Sequence, residues 1–498
     1  MTIRAVVAAL ARAATRRREG AARLRVGWRA ALSLAALPAL LAASARAADE
    51  LPRGTIVEGV KVASAPGQTY ALYLPAGYTP DRKWPILYAF DPGGRGKRPV
   101  GQFRAAAEKY GYVVAGSNDS RNGLMAAPLK QIINALWKDT HERLSIDDAR
   151  VYAAGFSGGA RVANGLAVAC GGCVAGVISS GAGFPPENTP TASLPYAFFG
   201  TVGVDDFNFR EMRPLERTLD ALGVVSRLAT FDGRHQWCPE EVCAEGVEWM
   251  ELLAMGRGRR PKDDALIDGA LARYAARAEQ LRRPADAYER YAALRAVAQT
   301  FDGLRDVARY GAEAAELKKT KEFRAAVAAE QKQIDEEQER AREMLAEGGA
   351  LLDDSTRDDA LVRIRRLAAL LRERANSAED GGARRVARRT LAHVYAETFE
   401  SAMYVYEPRK EFKVAAANLE LAAEVLPAYA EIEFELARVL ALDGRDGRAL
   451  AALSRAADKG FRDAAAIERE GAFAPLRPSA KFKKLVERVR AAPEKGND

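Results

Sequence analysis

The sequence predicts a mostly parallel β-sheet flanked by helices, followed by a second, all-helical region. Three observations carry this reading. Short apolar runs alternate with helix-like segments from Tyr70 to about Met255, the rhythm of strand–helix–strand units. Within them Val151–Gly159, V-Y-A-A-G-F-S-G-G, runs an apolar strand straight into G-x-S-x-G and an alanine-rich helix. After the basic linker Met255-Gly256-Arg257-Gly258-Arg259-Arg260-Pro261 the strand signals stop and alanine-rich amphipathic segments take over, a shift that marks a domain boundary. At 498 residues the chain has room for several domains. We read 1–47 as a targeting segment, 48–256 as the sheet domain and 257–498 as the helical domain.

The targeting segment explains the charge. Of 75 basic and 67 acidic side chains, nine arginines and Glu19 alone lie in residues 1–47, so 66 of each sign remain beyond them. The net charge of +8 therefore belongs to the N-terminus, and the totals give no reason to expect nucleic-acid binding by the rest. The basic region leads into the uncharged run Ala30–Ala45, and Ala45-Arg46-Ala47 has the small-x-small pattern of a cleavage site. That run is shorter than the about 20 residues a membrane span needs. A periplasmic or secreted protein without a stable span after cleavage is expected, an uncleaved anchor being the alternative. Thr15-Arg16-Arg17-Arg18 is a weak twin-arginine match, and a start nearer Val26 would account for the long basic region.

Export to an oxidising compartment allows the four cysteines to form two disulfides. Cys170 and Cys173 fall at the far end of the helix that follows Ser157, about 18 Å from it at about 1.5 Å per residue. Cys238 and Cys243 follow His235 directly, so pairing within each couple is favoured. A zinc site would need all four sulfurs together, and neither a metal nor a cofactor is expected.

Along the chain, Tyr70–Pro75 is an apolar strand stopped by proline, and Ile86–Phe90 a buried strand ending in Asp91-Pro92-Gly93-Gly94. Phe103–Tyr110 reads as a helix, Tyr112–Ala115 as a strand, and Ser117-Asn118-Asp119-Ser120-Arg121-Asn122-Gly123 as its polar loop. Polar residues at the C-terminal end of a parallel strand lie on the ligand side of such sheets, which makes Asn118, Arg121 and Asn122 candidates for substrate contact, a capped surface turn being the alternative. Pro128–Leu144 is a helix, Ala175–Ser180 a strand, and P-Y-A-F-F-G-T-V-G the next. Between these last two only Gly181–Leu194 intervenes, too little for a helical lid, so an open site is expected. Val204-Asp205-Asp206-Phe207-Asn208-Phe209, a helix through Leu222, a strand at Ser226–Phe231 and Asp232-Gly233-Arg234-His235-Gln236-Trp237 complete the half.

The chemistry follows from Ser157. A serine hydroxyl is a weak nucleophile until a base stands beside it and the backbone lifts it clear. Gly155 and Gly159 let strand and helix pass close together around the serine. Gly158, in the first turn of the helix, would aim its N–H at an oxyanion formed on acyl transfer. A second donor is expected after the Ile86–Phe90 strand; Pro92 has no N–H, which points to Gly93, or else Gly94. Of three histidines, His141 and His393 read as solvated or packed side chains, leaving His235 as general base. The acid that orients it is Asp206, or alternatively Asp205. Serine, acid, then histidine, each after a strand, is the order this chemistry takes in a parallel sheet.

On F-D-P-G-G-R-G, S-N-D-S-R-N-G, G-F-S-G-G-A, D-D-F-N-F-R-E-M and F-D-G-R-H-Q-W, residues 50 to 255 resemble the lidless α/β-hydrolases of the secreted carboxylesterase, feruloyl-esterase and polyhydroxybutyrate-depolymerase-like group. The resemblance implies metal-free ester hydrolysis by Ser157, His235 and Asp206. The chain departs from that group where Asp91-Pro92 replaces the commoner His-Gly.

In the helical half, Ala430–Ala456 resembles a tetratricopeptide repeat: Leu436, Ala437 and Leu440 on one helix, Gly444 at the turn, Ala449, Leu453 and Ala456 on the next. A looser copy runs through Leu391, Ala392, Tyr395, Ala416, Ala423 and Pro427, with an insertion around Met403–Pro408, and a third starts near Arg283–Tyr288. Ala312–Glu347 reads as one long charged helix, a solvated spacer of about 50 Å. Such repeats offer a surface to a protein partner; the alternative is that this half packs on or shields the sheet domain. The expectation is an exported serine hydrolase acting on an ester, bulky ones included. A serine peptidase of the same fold, or a scaffold whose helices recruit a partner, are the alternatives.

Overall fold

The computed structural model describes residues 51–377 and 381–491; the targeting segment lies outside them. The apolar runs of the first half form one eight-stranded sheet: β1 (Ile56–Val62), β2 (Ala65–Tyr73), β3 (Trp84–Phe90), β4 (Val113–Ser117), β5 (Ile146–Phe156), β6 (Gly176–Ser180), β7 (Ala197–Gly203) and β8 (Ser226–Phe231). Their order is β1-β2-β4-β3-β5-β6-β7-β8. The pairs β1/β2 and β2/β4 are antiparallel and all others parallel, the α/β-hydrolase arrangement. Every residue of β3 and β7 is buried, and both are largely apolar because both faces of the sheet are covered there.

Register decides where the loops meet. Phe90 pairs with Gly155, Phe156 with Ser180 and Gly203 with Phe231. The residues just past these strands, Asp91, Ser157 and Asp232, therefore emerge along one rim of the sheet.

The connecting helices are α1 (Lys97–Tyr110), α2 (Ala126–Arg143), α3 (Gly158–Cys170), α4 (Phe209–Ala221) and α5 (Glu240–Gly256). The change of composition at 257 coincides with the end of α5, but packing continues across it. A single core joins Leu87, Ile178 and Phe199 of the sheet to Trp249, Leu252 and Met255 of α5, then to Ile267, Leu294, Tyr310 and Phe323. Those last side chains come from α6 (Asp264–Gln280), α7 (Ala287–Thr300), α8 (Ala308–Lys318) and α9 (Lys321–Ala346). Polar ties cross the same seam: Trp249 Nε1 donates to Thr300 Oγ1 at 2.9 Å, and Tyr291 OH to Asp220 at 2.7 Å. The described residues from Leu51 onward form one compact unit.

The expected single helix over 312–347 is two. The break falls at Lys319-Thr320, where the Thr320 side chain accepts from Phe323 N and starts α9 afresh. Beyond it lie α10 (Arg357–Asn376), α11 (Gly381–Glu400), a π-helical turn Ser401–Tyr406, α12 (Phe412–Val425), α13 (Ala430–Leu442), α14 (Asp446–Asp458), α15 (Ala464–Arg469) and α16 (Ala480–Ala491). The anticipated insertion at 403–408 is the π-helical turn and the residues after it. In α13 and α14, Leu436, Ala437 and Leu440 meet Ala449 and Leu453 in one core, with Gly444 in the left-handed region at the turn (φ 72°).

Candidate active site

At the end of β5 the backbone bends sharply. Ser157 has φ 53° and ψ −123°, a conformation that a side chain adopts only under constraint from its surroundings. The constraint is close packing of strand, turn and helix. A Cβ on Gly155 would lie 2.1 Å from the carbonyl oxygen of Gly159, and one on Gly159 would lie 2.1 Å from that of Phe90. The Ser157 N–H donates to Ser180 O at 2.8 Å, tying the turn to β6.

The bend presents Ser157 Oγ 2.9 Å from His235 Nε2, and His235 Nδ1 lies 2.9 Å from Asp206 Oδ1. An ionised carboxylate only accepts, so Nδ1 carries the proton and Nε2 is left to accept from the serine hydroxyl. Asp206 is fully buried, and its Oδ1 also accepts from Asn208 N at 2.8 Å. Phe156 and Phe207 flank the imidazole with ring centroids 4.6 and 4.2 Å away. The two adjacent acids divide: Asp205 Oδ2 accepts from Arg388 at 2.7 Å and does not meet His235.

The oxyanion loop differs from expectation. Asp91 turns inward, fully buried, and its carboxylate accepts from Gly93 N (2.9 Å), Arg95 Nε (2.8 Å) and Trp237 Nε1 (3.0 Å). Burial pushes the Asp91 carboxyl up, but the hydrogen bonds from Arg95, Trp237 and Gly93 outweigh it and hold it below its ordinary range. The Gly94 N–H is also spent, on Asp91 O at 3.0 Å. Neither Gly93 nor Gly94 therefore has an N–H free for an oxyanion. Gly158 N, at the start of α3, has no intrahelical acceptor within reach.

The polar loop after β4 divides as well. Asn118 is structural: its side chain accepts from Gly96 N (3.0 Å) and donates to Glu58 O (2.8 Å) and Thr69 Oγ1 (3.0 Å). Arg121 forms a bridge with Gly93 and its side chain is exposed. Asn122 alone of the three reaches the serine: it shares a cavity with Ser157 and Gly158, and a Cβ on Gly158 would stand 1.9 Å from its Oδ1. The cysteines divide likewise. Cys170 and Cys173 form a disulfide, whereas Cys238 and Cys243 are buried thiols with sulfurs 2.8 Å apart.

The expectation of an open site is overturned. The cavity over Ser157, about 360 Å³, is roofed by α11 and the π-helical turn, which supply His393, Ala396, Glu397, Glu400 and Tyr404. The segment after β6 is indeed too short for a lid; the cover comes from far along the chain instead. His393, read from sequence as an ordinary side chain, lines this cavity, and burial together with the nearby Arg210 charge lowers its pKa to about 4. His141 instead stacks on Trp137 at 4.6 Å. A second cavity of about 710 Å³ lies beside β8, its walls holding the ion pair Arg273–Glu248 and no serine, cysteine or histidine.

Behind the triad lies a buried charge cluster. Glu337 of α9 is fully buried, 3.6 Å from Arg389 and 3.9 Å from Arg210. Burial raises its pKa to about 7; Arg389 and Arg210 oppose the rise and Asp206 adds to it.

No family model and no curated protein matches this chain. Solved structures of serine hydrolases and esterases do resemble it, at low identity. An S-formylglutathione hydrolase from Staphylococcus aureus is 14% identical over 37% of this chain and 90% of its own, with TM-score 0.31. An esterase from the archaeon Pyrobaculum calidifontis is 12% identical over 45% of this chain and 94% of its own, with TM-score 0.34. Esterase B from Lactobacillus rhamnosis is 15% identical over 45% of this chain and 95% of its own, also at 0.34.

Proposed function

We propose that this chain is an exported serine hydrolase that cleaves carboxylic esters through an acyl-Ser157 intermediate. The observation that carries the reading is the hydrogen-bonded series Ser157–His235–Asp206, with 2.9 Å at each step, built on a serine held at positive φ.

Ser157 Oγ attacks the ester carbonyl carbon while its proton passes to His235 Nε2. Asp206 holds the imidazole in the required tautomer and stabilises it once charged. The negative charge gathering on the carbonyl oxygen is met by the Gly158 N–H and the Asn122 side-chain amide, which takes the place expected of Gly93. The carbonyl–alkoxy bond then breaks, and the proton on Nε2 goes to the leaving alcohol. Water repeats the sequence on the acyl-enzyme, releasing the acid and restoring Ser157.

Export is supported by the basic, then apolar, then Ala-Arg-Ala pattern of residues 1–47 and accords with the Cys170–Cys173 disulfide. The helical pairs after α10 are read as tetratricopeptide-type units, which would offer a surface to a protein partner as well as roofing the site. The roof favours one second reading, a peptidase in which the helical half gates access; there His235 would protonate a leaving amine.

Labelling with a fluorophosphonate probe tests the central reading. The wild-type protein should label and Ser157→Ala should not; no labelling of the wild type would leave a non-catalytic scaffold. Matched peptide and ester substrates then separate the two chemistries.

A further inference from the structure

The cavity over Ser157 carries charge that the triad does not use. Its walls hold two arginines and three glutamates. Arg161 is spent, paired to both oxygens of Glu211 at 3.0 and 2.7 Å and to Phe184 O at 2.7 Å. Arg210 leans towards the buried Glu337. Glu397 and Glu400 remain, and among the described residues neither makes an ion pair within 4 Å.

Their placement is systematic. His393, Glu397 and Glu400 follow the i, i+4, i+7 spacing that lines one face of a helix, and that face of α11 looks into the cavity. His393 is 9% exposed, and its Nδ1 has no hydrogen-bond partner. As a neutral imidazole it offers a lone pair and adds no positive charge to offset the two carboxylates. Burial raises the pKa of Glu400 and Glu397 adds to the rise, while nearby His235 and Arg161 oppose it; a cation seated between the two carboxylates would relieve that cost. Tyr404 and Phe207 supply aromatic faces in the same walls, and such faces also attract cations.

We infer that this stripe of the roof is a subsite for a positively charged group, so that the substrate carries an ammonium or guanidinium on the part lying under Glu397 and Glu400. The inference rests on the hydrolase reading for its substrate but not for its binding chemistry. The carboxylates supply the attraction, the His393 lone pair accepts a donor hydrogen, and the rings shield the contact from water.

The test uses the full chain and two ester pairs that exchange a cation for a carbon of the same shape. Nitrophenyl 6-aminohexanoate against nitrophenyl heptanoate probes the acyl side; butyrylcholine against 3,3-dimethylbutyl butyrate probes the alcohol side. At low salt, kcat/KM should favour the charged member of at least one pair by about tenfold, carried mainly by KM, since screening weakens such a contact. In the Glu397→Gln/Glu400→Gln variant that ratio should fall to about one. Each single substitution should lower it partway, which keeps the test available if the double variant does not fold. Ratios near one on both sides, or a preference that survives the double substitution, overturn the inference. If Ser157 does not label, the hydrolase reading fails by itself. Titration of the Ser157→Ala protein with hexylammonium and choline then decides the subsite: binding weakened by the glutamine substitutions supports it, and no binding overturns it.

Discussion

Arg388, on the helix that roofs the cavity, donates a 2.7 Å hydrogen bond to Asp205, the residue immediately before the acid that orients His235. Two consecutive carboxylates thus face opposite ways, one into the triad and one into the helical region. The roof is fastened to the same short loop that holds Asp206 against His235.

Exchanging the two acids separately should therefore give different kinetics. Asp206→Asn, which disturbs the imidazole tautomer, is expected to lower kcat by about 10³-fold or more. Asp205→Asn removes the charge opposite Arg388 and should leave the triad intact. Steady-state kinetics should show KM raised several-fold and kcat changed far less, with Arg388→Ala giving the same pattern. A comparable loss of kcat in Asp205→Asn would mean that Asp205 has been misassigned.

Asn122 and Asn118 form a second contrasting pair. Asn122→Ala is expected to cut kcat by about 10²-fold, the usual effect of removing one oxyanion donor, with KM little affected. Asn118 instead ties the β4 loop to Gly96, Glu58 and Thr69. Asn118→Ala should lower the melting temperature, a loss of about 1–3 kcal/mol for a broken, partly buried network. Single-turnover kinetics and thermal melts on both variants check this.

Glu337 should leave a mark on the pH dependence of stability. Its folded pKa of about 7 lies above the ordinary carboxylate value, so the folded state holds the proton more tightly than the unfolded one. Between about 4.5 and 7 stability therefore falls as pH rises, with the loss complete above that window. His393 acts oppositely: its folded pKa of about 4 makes stability rise with pH between about 4 and 6.5. The groups facing Glu337 are Arg210, Arg389 and Asp206. Comparing Glu337→Gln with wild type isolates the glutamate. The variant should match wild type near pH 4.5 and exceed it at pH 8 by on the order of 3 kcal/mol. Parallel melting curves across pH would count against this.

The close approach at the serine turn predicts a loss of folding. Gly155→Ala would force a methyl to within 2.1 Å of a backbone oxygen with no flexible side chain to move aside. The expected result is failure to accumulate folded protein, or destabilisation beyond about 3 kcal/mol with Ser157 unlabelled. Gly171→Ala has open space around it and left-handed backbone (φ 62°), so it should cost only about 1 kcal/mol. Circular dichroism and probe labelling on the two variants make the comparison.

The sheet and the meeting of Ser157, His235 and Asp206 were legible because their signals are local. A strand that runs into G-F-S-G-G, and an acid and a histidine each just past a strand, need no knowledge of distant contacts. The inward turn of Asp91 also had a local cue, since an aspartate before Pro-Gly-Gly can capture the backbone N–H two residues on. Reading Gly93 as a donor overlooked that competition. The roof had no such cue. His393 and Glu400 sit in a regular amphipathic helix, and nothing in its period distinguishes the face that covers Ser157 from one that covers other helices. The break at Thr320 was similarly faint: one threonine between lysines, in a segment whose alanines and charges suit either one helix or two.

The core that runs unbroken from Leu87 to Phe323 has a consequence for truncation. A chain ending at Gly256 would uncover apolar surface of Trp249, Leu252 and Met255, so the first half is not a self-contained cassette. With the cover of the cavity at Ser157 also drawn from the second half, neither part keeps its buried surfaces without the other.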